Sequence, residues 1–221
     1  MEHSTLFSVL LSLRVAITST VLIVCIGIPL AYFLARKEFR GREVLDVILT
    51  LPLVLPPTVT GYYLIVLFGR NGLIGKVIYD WTGWSMIFTW YAAVLASFIV
   101  ALPLMIKITR ASIESIDKNL INASYTLGHS EFHTALKVIL PLAKRGIVAG
   151  TALSFARAMG EFGATLMFAG NLPGRTDTMP IAIYSLTAGG EWATAQYMVL
   201  LMTVISAAFL YVANRFAKRI I

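Results

Sequence analysis

Stretches free of Asp, Glu, Lys and Arg recur along this chain at lengths that match a bilayer rather than a protein core. The first covers residues 15–35 between Arg14 and Arg36, the second 47–68 after Asp46, and the third 81–106 between Asp80 and Lys107. A fourth begins at Gly146, is interrupted by Arg157 and Glu161 and resumes over 162–174; a fifth covers 192–214 before Arg215. A hydrocarbon core of about 30 Å needs about 20 apolar helical residues, so the pattern predicts five membrane-spanning helices, the fourth irregular. The first is expected to be a span and not a cleaved leader. It outruns a usual leader core, follows an uncharged or acidic start and lacks a small-residue exit site.

Composition agrees, because 58% hydrophobic residues, 13% charged residues and a mean hydropathy of +0.80 leave too little polar surface for a water-soluble globule. The fold class expected is an all-α integral membrane protein, one transmembrane domain over residues 1–221. Charge then orients it. Arg36, Lys37, Arg40 and Arg42, then Lys107, Arg110, Lys118, Lys137, Lys144 and Arg145, then Arg215, Lys218 and Arg219 make thirteen of the 18 basic residues. The alternate segments hold Arg70, Lys76 and Arg175. Short basic loops stay cytoplasmic, so the N-terminus is expected outside and the C-terminus inside, as an odd number of spans requires. The net charge of +7 follows from this topology and from attraction to membrane lipid, and no nucleic-acid partner is expected. Cys25 is the single cysteine, so there is no intrachain disulfide framework.

Two spans carry unusual chemistry. In the second, Pro52, Pro56, Pro57 and Gly61 fall within eleven residues. Each proline removes a donor and clashes with the preceding turn, so this helix must kink or open. Thr58 and Thr60 are available to satisfy the freed backbone groups. Pro56, Pro57, Thr58 and Thr60 therefore belong to a pathway-lining or gating helix, or to a kink that shapes packing. In the fourth span, Arg157 and Glu161 lie four residues apart on one expected helix face and can pair, so that reversing both charges should restore more function than either single reversal. Ala156, Gly160 and Ala164 form an expected ridge of small residues. Ionisable groups at such depth face a protein interior or a wet cavity, which makes Arg157, Gly160, Glu161 and Gly163 translocation candidates or a structural pair between subunits. The turn-rich stretch 170–180 is an external loop that either docks a soluble partner or simply connects.

Between the third and fourth spans lies a polar, helical interruption. Asp117 is placed to cap a helix, Leu120, Ala123 and Leu127 recur at helical spacing, and Gly128 is suited to end the helix in a left-handed conformation. Ser130 then caps a second helix, with Glu131 in its first turn, that stops by Pro141. Two short helices joined at a glycine form a knob, with Ala123 and Ser124 small enough for a partner groove to close on.

The run Asn122-Ala123-Ser124, three residues, Gly128, nine residues, Val138, one residue, Leu140-Pro141 resembles the EAA loop of binding-protein-dependent ABC importer permeases. The spacing matches throughout; the departures are Asn122 for Glu, Ser124 for Ala and Val138 for Ile. The resemblance extends over nearly the whole chain and is sharpest against the molybdate permeases of that family. It is carried by residues 51–57, Gly61-Tyr62, Gly72 and Gly75, Tyr79-Asp80-Trp81, 160–165, and Asn171 with Pro173-Gly174; sulfate permeases share the Gly-Glu-Phe-Gly portion. The resemblance implies a type I ABC importer permease with its coupling loop at about 110–141, in the bacterial cytoplasmic membrane. It also implies a homodimer, two cytoplasmic ATPase subunits gripping the loop, and a soluble periplasmic or extracellular binding protein delivering molybdate or tungstate.

No cofactor is expected in this chain. It has no Gly-x4-Gly-Lys-Ser/Thr phosphate loop, so ATP and Mg belong to the partner ATPase and no catalytic residue is assigned. A self-sufficient channel or secondary transporter is the competing class, but the proline-rich and Gly-Glu-Phe-Gly stretches have no second copy. Membrane-embedded hydrolase motifs are missing too. His129 and His133 are four residues apart without an evident third ligand, which reads as a solvated helix face rather than a metal site.

Overall fold

The computed structural model describes residues 2–219, and nearly all of them are helical or in short turns between helices. Helix α1 (Glu2–Arg36) and helix α5 (Trp90–Glu114) form the centre. They run parallel. Leu11 and Val15 of α1 share a core with Ala92, Ala93 and Ala96 at the start of α5, whereas Ile23 and Leu34 pack with Ala101, Leu102, Met105 and Ile106 farther along. Ser19 donates to the Val94 carbonyl at 3.0 Å. Two parallel spans joined by one segment require that segment to cross back.

The return is made by α2 (Arg42–Val54) and α3 (Pro57–Phe68), bent by 118° at their junction. Leu55 and Pro56 are extended because each precedes a proline, which excludes the helical conformation, and Pro57 then starts α3 at a position where its missing N–H is not needed. The expected kink is therefore a full break. Its backbone is satisfied locally, Leu55 N–H bonding to Leu51 O and both Val59 and Thr60 N–H to Pro56 O. Thr58 and Thr60 are not needed for it, contrary to expectation: Thr58 is exposed, and the buried Thr60 hydroxyl has no hydrogen-bond partner.

The third run also starts later than its composition suggests. Residues 75–82 form a separate short helix, α4 (Gly75–Thr82), ended by Gly83 at φ +67, and Trp81 on it is 87% exposed. Helix α5 begins only after Thr89, whose hydroxyl accepts from Ala92 N–H.

After α5 come α6 (Lys118–Thr126), α7 (Glu131–Thr134), a π-helical turn over Ala135–Ile139, and the single turn α8 (Leu140–Leu142). Helix α9 (Lys144–Met159) then runs back antiparallel to α5, and a sharp turn leads into α10 (Gly163–Ala169). Its contact with α5 is made by Gly146 against Ser112, Gly150 against Met105 and Thr109, and Ser154, whose hydroxyl donates to Ala101 O at 3.3 Å. This Gly146–Gly150–Ser154 stripe is the close-packing ridge, and not the expected Ala156–Gly160–Ala164, because the helix ends at Met159 before that ridge can form. Helix α11 (Met179–Ala188) leads to α12 (Trp192–Arg219), which returns beside α9 with Phe209 stacked 3.7 Å from Phe155.

Among the described residues three helices are long and apolar enough to cross a bilayer, and with each bent pair counted as one span the number is five. One end gathers Arg36, Lys37, Arg42, Lys107 and Arg110 with α6 to α8; the other carries the starts of α1 and α5 and the loop before α11.

Candidate functional site

At the basic end, α6 to α8 build a two-helix knob. Asp117 accepts from Asn119 N–H at 2.8 Å and starts α6. Gly128, at φ +84, ends it: Gly128 N–H bonds to Tyr125 O and His129 N–H to Ser124 O, the paired closure that a left-handed residue permits. Ser130 accepts from His133 N–H and starts α7. Pro141 has no N–H for the turn before it, and the wide π turn over Ala135–Ile139 accommodates its ring, so the helix runs on to Leu142 and not merely to Pro141. A bend of 71° then leads into α9.

The knob's two faces differ from the expected arrangement. Ile121 is buried with Ile113, Ile139 and Ala143 on the inner side. Ser124 is buried as well, its hydroxyl 2.9 Å from Thr134 Oγ1 and 3.2 Å from His129 Nδ1, so it fastens the two knob helices together and is not presented to a partner. The outer face carries Ala123 and Asn122 with Leu120, Leu127 and Phe132, the last three 51%, 77% and 75% exposed. The stripe of Leu120, Ala123 and Leu127 exists but points outward, because position 121 and not 120 reaches the core. Lys37, just beyond α1, holds the knob from the side by a 2.9 Å ion pair to Glu131. That carboxylate raises the Lys37 ammonium above its ordinary value and is itself lowered by it, so the tether stays charged through neutral pH and is released as pH rises through the raised Lys37 value or falls through the lowered Glu131 value.

Farther up the bundle, the two broken crossings meet at their breaks. Gly163 packs so closely on Pro57 and Thr58 that an added Cβ would lie 3.0 Å from Pro57 Cβ, and Gly61 packs on Ala164 and Met167. Between α9 and α10, Arg157 Nη1 lies 2.7 Å from Glu161 Oε2, the Glu161 side chain being only 1% exposed. This contact is an ion pair without aligned hydrogen-bond geometry, since Oε2 has no hydrogen-bond partner. The other oxygen, Oε1, accepts from Ala164 N–H at 2.8 Å. The pair thus spans a break instead of one helix face: Arg157 sits at the C-terminus of α9 and Glu161 at the N-terminus of α10, each on the favourable end of a helix dipole. Gly160 lies exposed at the turn between them. The structure therefore brings Pro57, Thr58, Glu161 and Gly163 into one region, with Arg157 paired into it and Pro56 exposed beside it.

Residues 27–221 match the family of binding-protein-dependent transport system inner membrane components. The chain belongs to this family. It is 44% identical over 211 residues to the molybdenum transport system permease protein ModB of Haemophilus influenzae, covering 95% of this chain and 92% of that protein. It is 44% identical over 195 residues to ModB of Escherichia coli K12, covering 87% and 85%. Among solved structures, the inward-facing MetNI methionine ABC transporter matches with a TM-score of 0.79 at 17% identity over 100% of this chain and 98% of that one. A bacterial alginate ABC transporter in complex with an alginate-pentasaccharide-bound periplasmic protein matches with a TM-score of 0.77 at 16% identity, over 97% and 78%. The fold is that of ABC importer permeases.

Within this permease, sequence reasoning missed Phe132 and Lys37 at the knob. Phe132 had a legible signal, an aromatic residue in a four-residue polar helix, whereas the Lys37–Glu131 pair joins positions 94 apart and leaves no local pattern.

Proposed function

We propose that this chain is the membrane-spanning subunit of an ATP-driven importer of molybdate, with tungstate accepted as a near-isosteric tetrahedral dianion. The observation that carries the cargo is the 44% identity to molybdenum transport permeases across nearly the whole chain. The mechanism rests on the exposed apolar knob, a surface that water alone does not favour and that a soluble motor would cover.

In this reading two copies enclose a path along a twofold axis, which suits the closed symmetry of most oligomers. The basic end lies in the cytoplasm, following the excess of Lys and Arg there, so the N-terminus is outside and the C-terminus inside. Two ATPase subunits, which hold the ATP and Mg, grip Leu120, Ala123, Leu127 and Phe132. Their closure drives the knobs together. Ile121 and Ile139 pack with Ile113 of α5 and with Ala143 at the start of α9, so the push passes directly into α5 and α9. The whole chain acts as one transmembrane unit, and the meeting point of the two breaks is where the path opens. A soluble binding protein releases the oxyanion at the opposite end. Arg157 is already paired with Glu161, which suits a path needing weak, transient contacts, and selectivity then sits mainly in the binding protein.

Uptake by proteoliposomes containing the chain, its ATPase and its binding protein, measured for molybdate, tungstate and sulfate, tests the cargo. Molybdate and tungstate uptake well above sulfate is expected; sulfate alone being carried would make this a sulfate permease. Equal uptake without ATP would point to a channel or secondary transporter.

A further inference from the structure

Along α1, Leu6, Leu10, Ile17 and Val21 are exposed and recur at helical spacing on one stripe. Arg14 lies on the same stripe, between Leu10 and Ile17, and is exposed with them. A stripe of a membrane-spanning helix that no other element covers faces lipid, where a lone guanidinium is costly unless it reaches an anion. Its depth is informative. Arg14 and Arg36 are 22 residues apart on one helix, which is about 33 Å at about 1.5 Å per residue and close to a hydrocarbon thickness of about 30 Å. With Arg36 at one headgroup boundary, Arg14 stands at the other.

The Arg14 guanidinium lies 3.9 Å over the Trp90 ring, and together with Arg175 it borders a cleft of about 530 Å³ also lined by Phe7, Leu10, Phe88 and Tyr91. Among the described residues no carboxylate lines the cleft and neither arginine forms an ion pair. Stacking on an aromatic ring fixes a guanidinium plane while leaving its N–H edges free for a phosphate. The rim is thus cationic at headgroup depth, and the stripe of Ile17 and Val21 continues from Arg14 into the hydrocarbon, the same division as in a phospholipid.

We propose that this cleft binds the phosphate headgroup of an anionic phospholipid in the leaflet that meets the start of α1. Arg14 and Arg175 hold the phosphodiester, and the acyl chains lie along Ile17 and Val21. A zwitterionic headgroup brings its own ammonium to two guanidiniums and is disfavoured.

Native mass spectrometry of the full chain from mixed phosphatidylglycerol and phosphatidylcholine micelles reads this directly. Two fixed charges near the surface predict retention of phosphatidylglycerol enriched by about thirtyfold, falling to parity in Arg14→Gln/Arg175→Gln. Arg175→Gln alone, in a loop, is expected to lose part of the enrichment and guards against misfolding of the double variant. Arg70→Gln, a basic residue at the same end but outside the cleft, is expected to change nothing. Undiminished enrichment in the double variant, or an equal loss in Arg70→Gln, would overturn the site. Displacement of the lipid by inorganic phosphate would make it a free-oxyanion site. A change of oligomeric state in the double variant would make it a surface between copies.

Discussion

Glu161 sits where one helix ends and the next begins, and its two oxygens do different things: one faces Arg157, the other accepts the Ala164 N–H. Arg157→Ala would leave a buried carboxylate uncompensated, for which losses of about 3–5 kcal/mol are typical; a lowered thermal midpoint of the purified chain checks this. The charge swap that a simple pair predicts to rescue function is expected to rescue it only in part. An arginine at 161 cannot accept from Ala164 N–H, so the double reversal should stay less stable than the native chain, although more stable than the Glu161 reversal alone, which sets two guanidiniums side by side. The sequence disclosed the pair because i and i+4 spacing is visible, but not the second bond, since that depends on the helix having ended at Met159. Gly61 is a second such position. A Cβ there would lie 2.7 Å from Met167 Cβ and 3.0 Å from Ala164 Cα, so Gly61→Ala should cost about 1–3 kcal/mol through overpacking, again read from the thermal midpoint.

At the scale of elements, prolines and glycines were the most legible residues. Pro56 and Pro57 announced an interruption, and Gly128 announced a left-handed helix end, because their backbone restrictions are local. How far the chain turns at the proline break is not local. It follows from packing of α3 on α10 through Gly61 and Gly163, contacts more than a hundred residues apart in sequence. The knob illustrates the same limit: periodicity located its apolar stripe, but a burial pattern shifted by one residue decided that Ile121 faces inward and Leu120 outward. Gly128→Val places a β-branched residue at φ +84, where strain of about 1–3 kcal/mol is expected. The variant should still reach the membrane, since the bundle packs without the knob's outer face, yet transport should fall out of step with ATP hydrolysis. Parallel assays of uptake and phosphate release would expose the separation, and tightly coupled transport in this variant would count against the knob.

For the whole molecule, the alternation of charge-free runs and basic loops carried the five crossings, because a bilayer imposes length and charge rules that act on sequence directly. The architecture within the bilayer was less accessible. That α1 and α5 run side by side and parallel, and that the two broken crossings meet at their breaks, depends on small residues whose partners are distant. Those contacts make the bundle able to respond to a push at one end. The claim on which the rest depends is that the outward apolar face of the knob receives that push. Leu127 is 77% exposed, so Leu127→Asp should leave stability within about 0.5 kcal/mol while removing an apolar contact with the motor. The decisive measurement is ATP-dependent molybdate uptake by proteoliposomes holding this chain, its ATPase and its binding protein, with and without Leu127→Asp. Uptake that requires ATP and falls at least tenfold in the variant, with the chain still folded, is the predicted result; full ATP-driven uptake in the variant would contradict it.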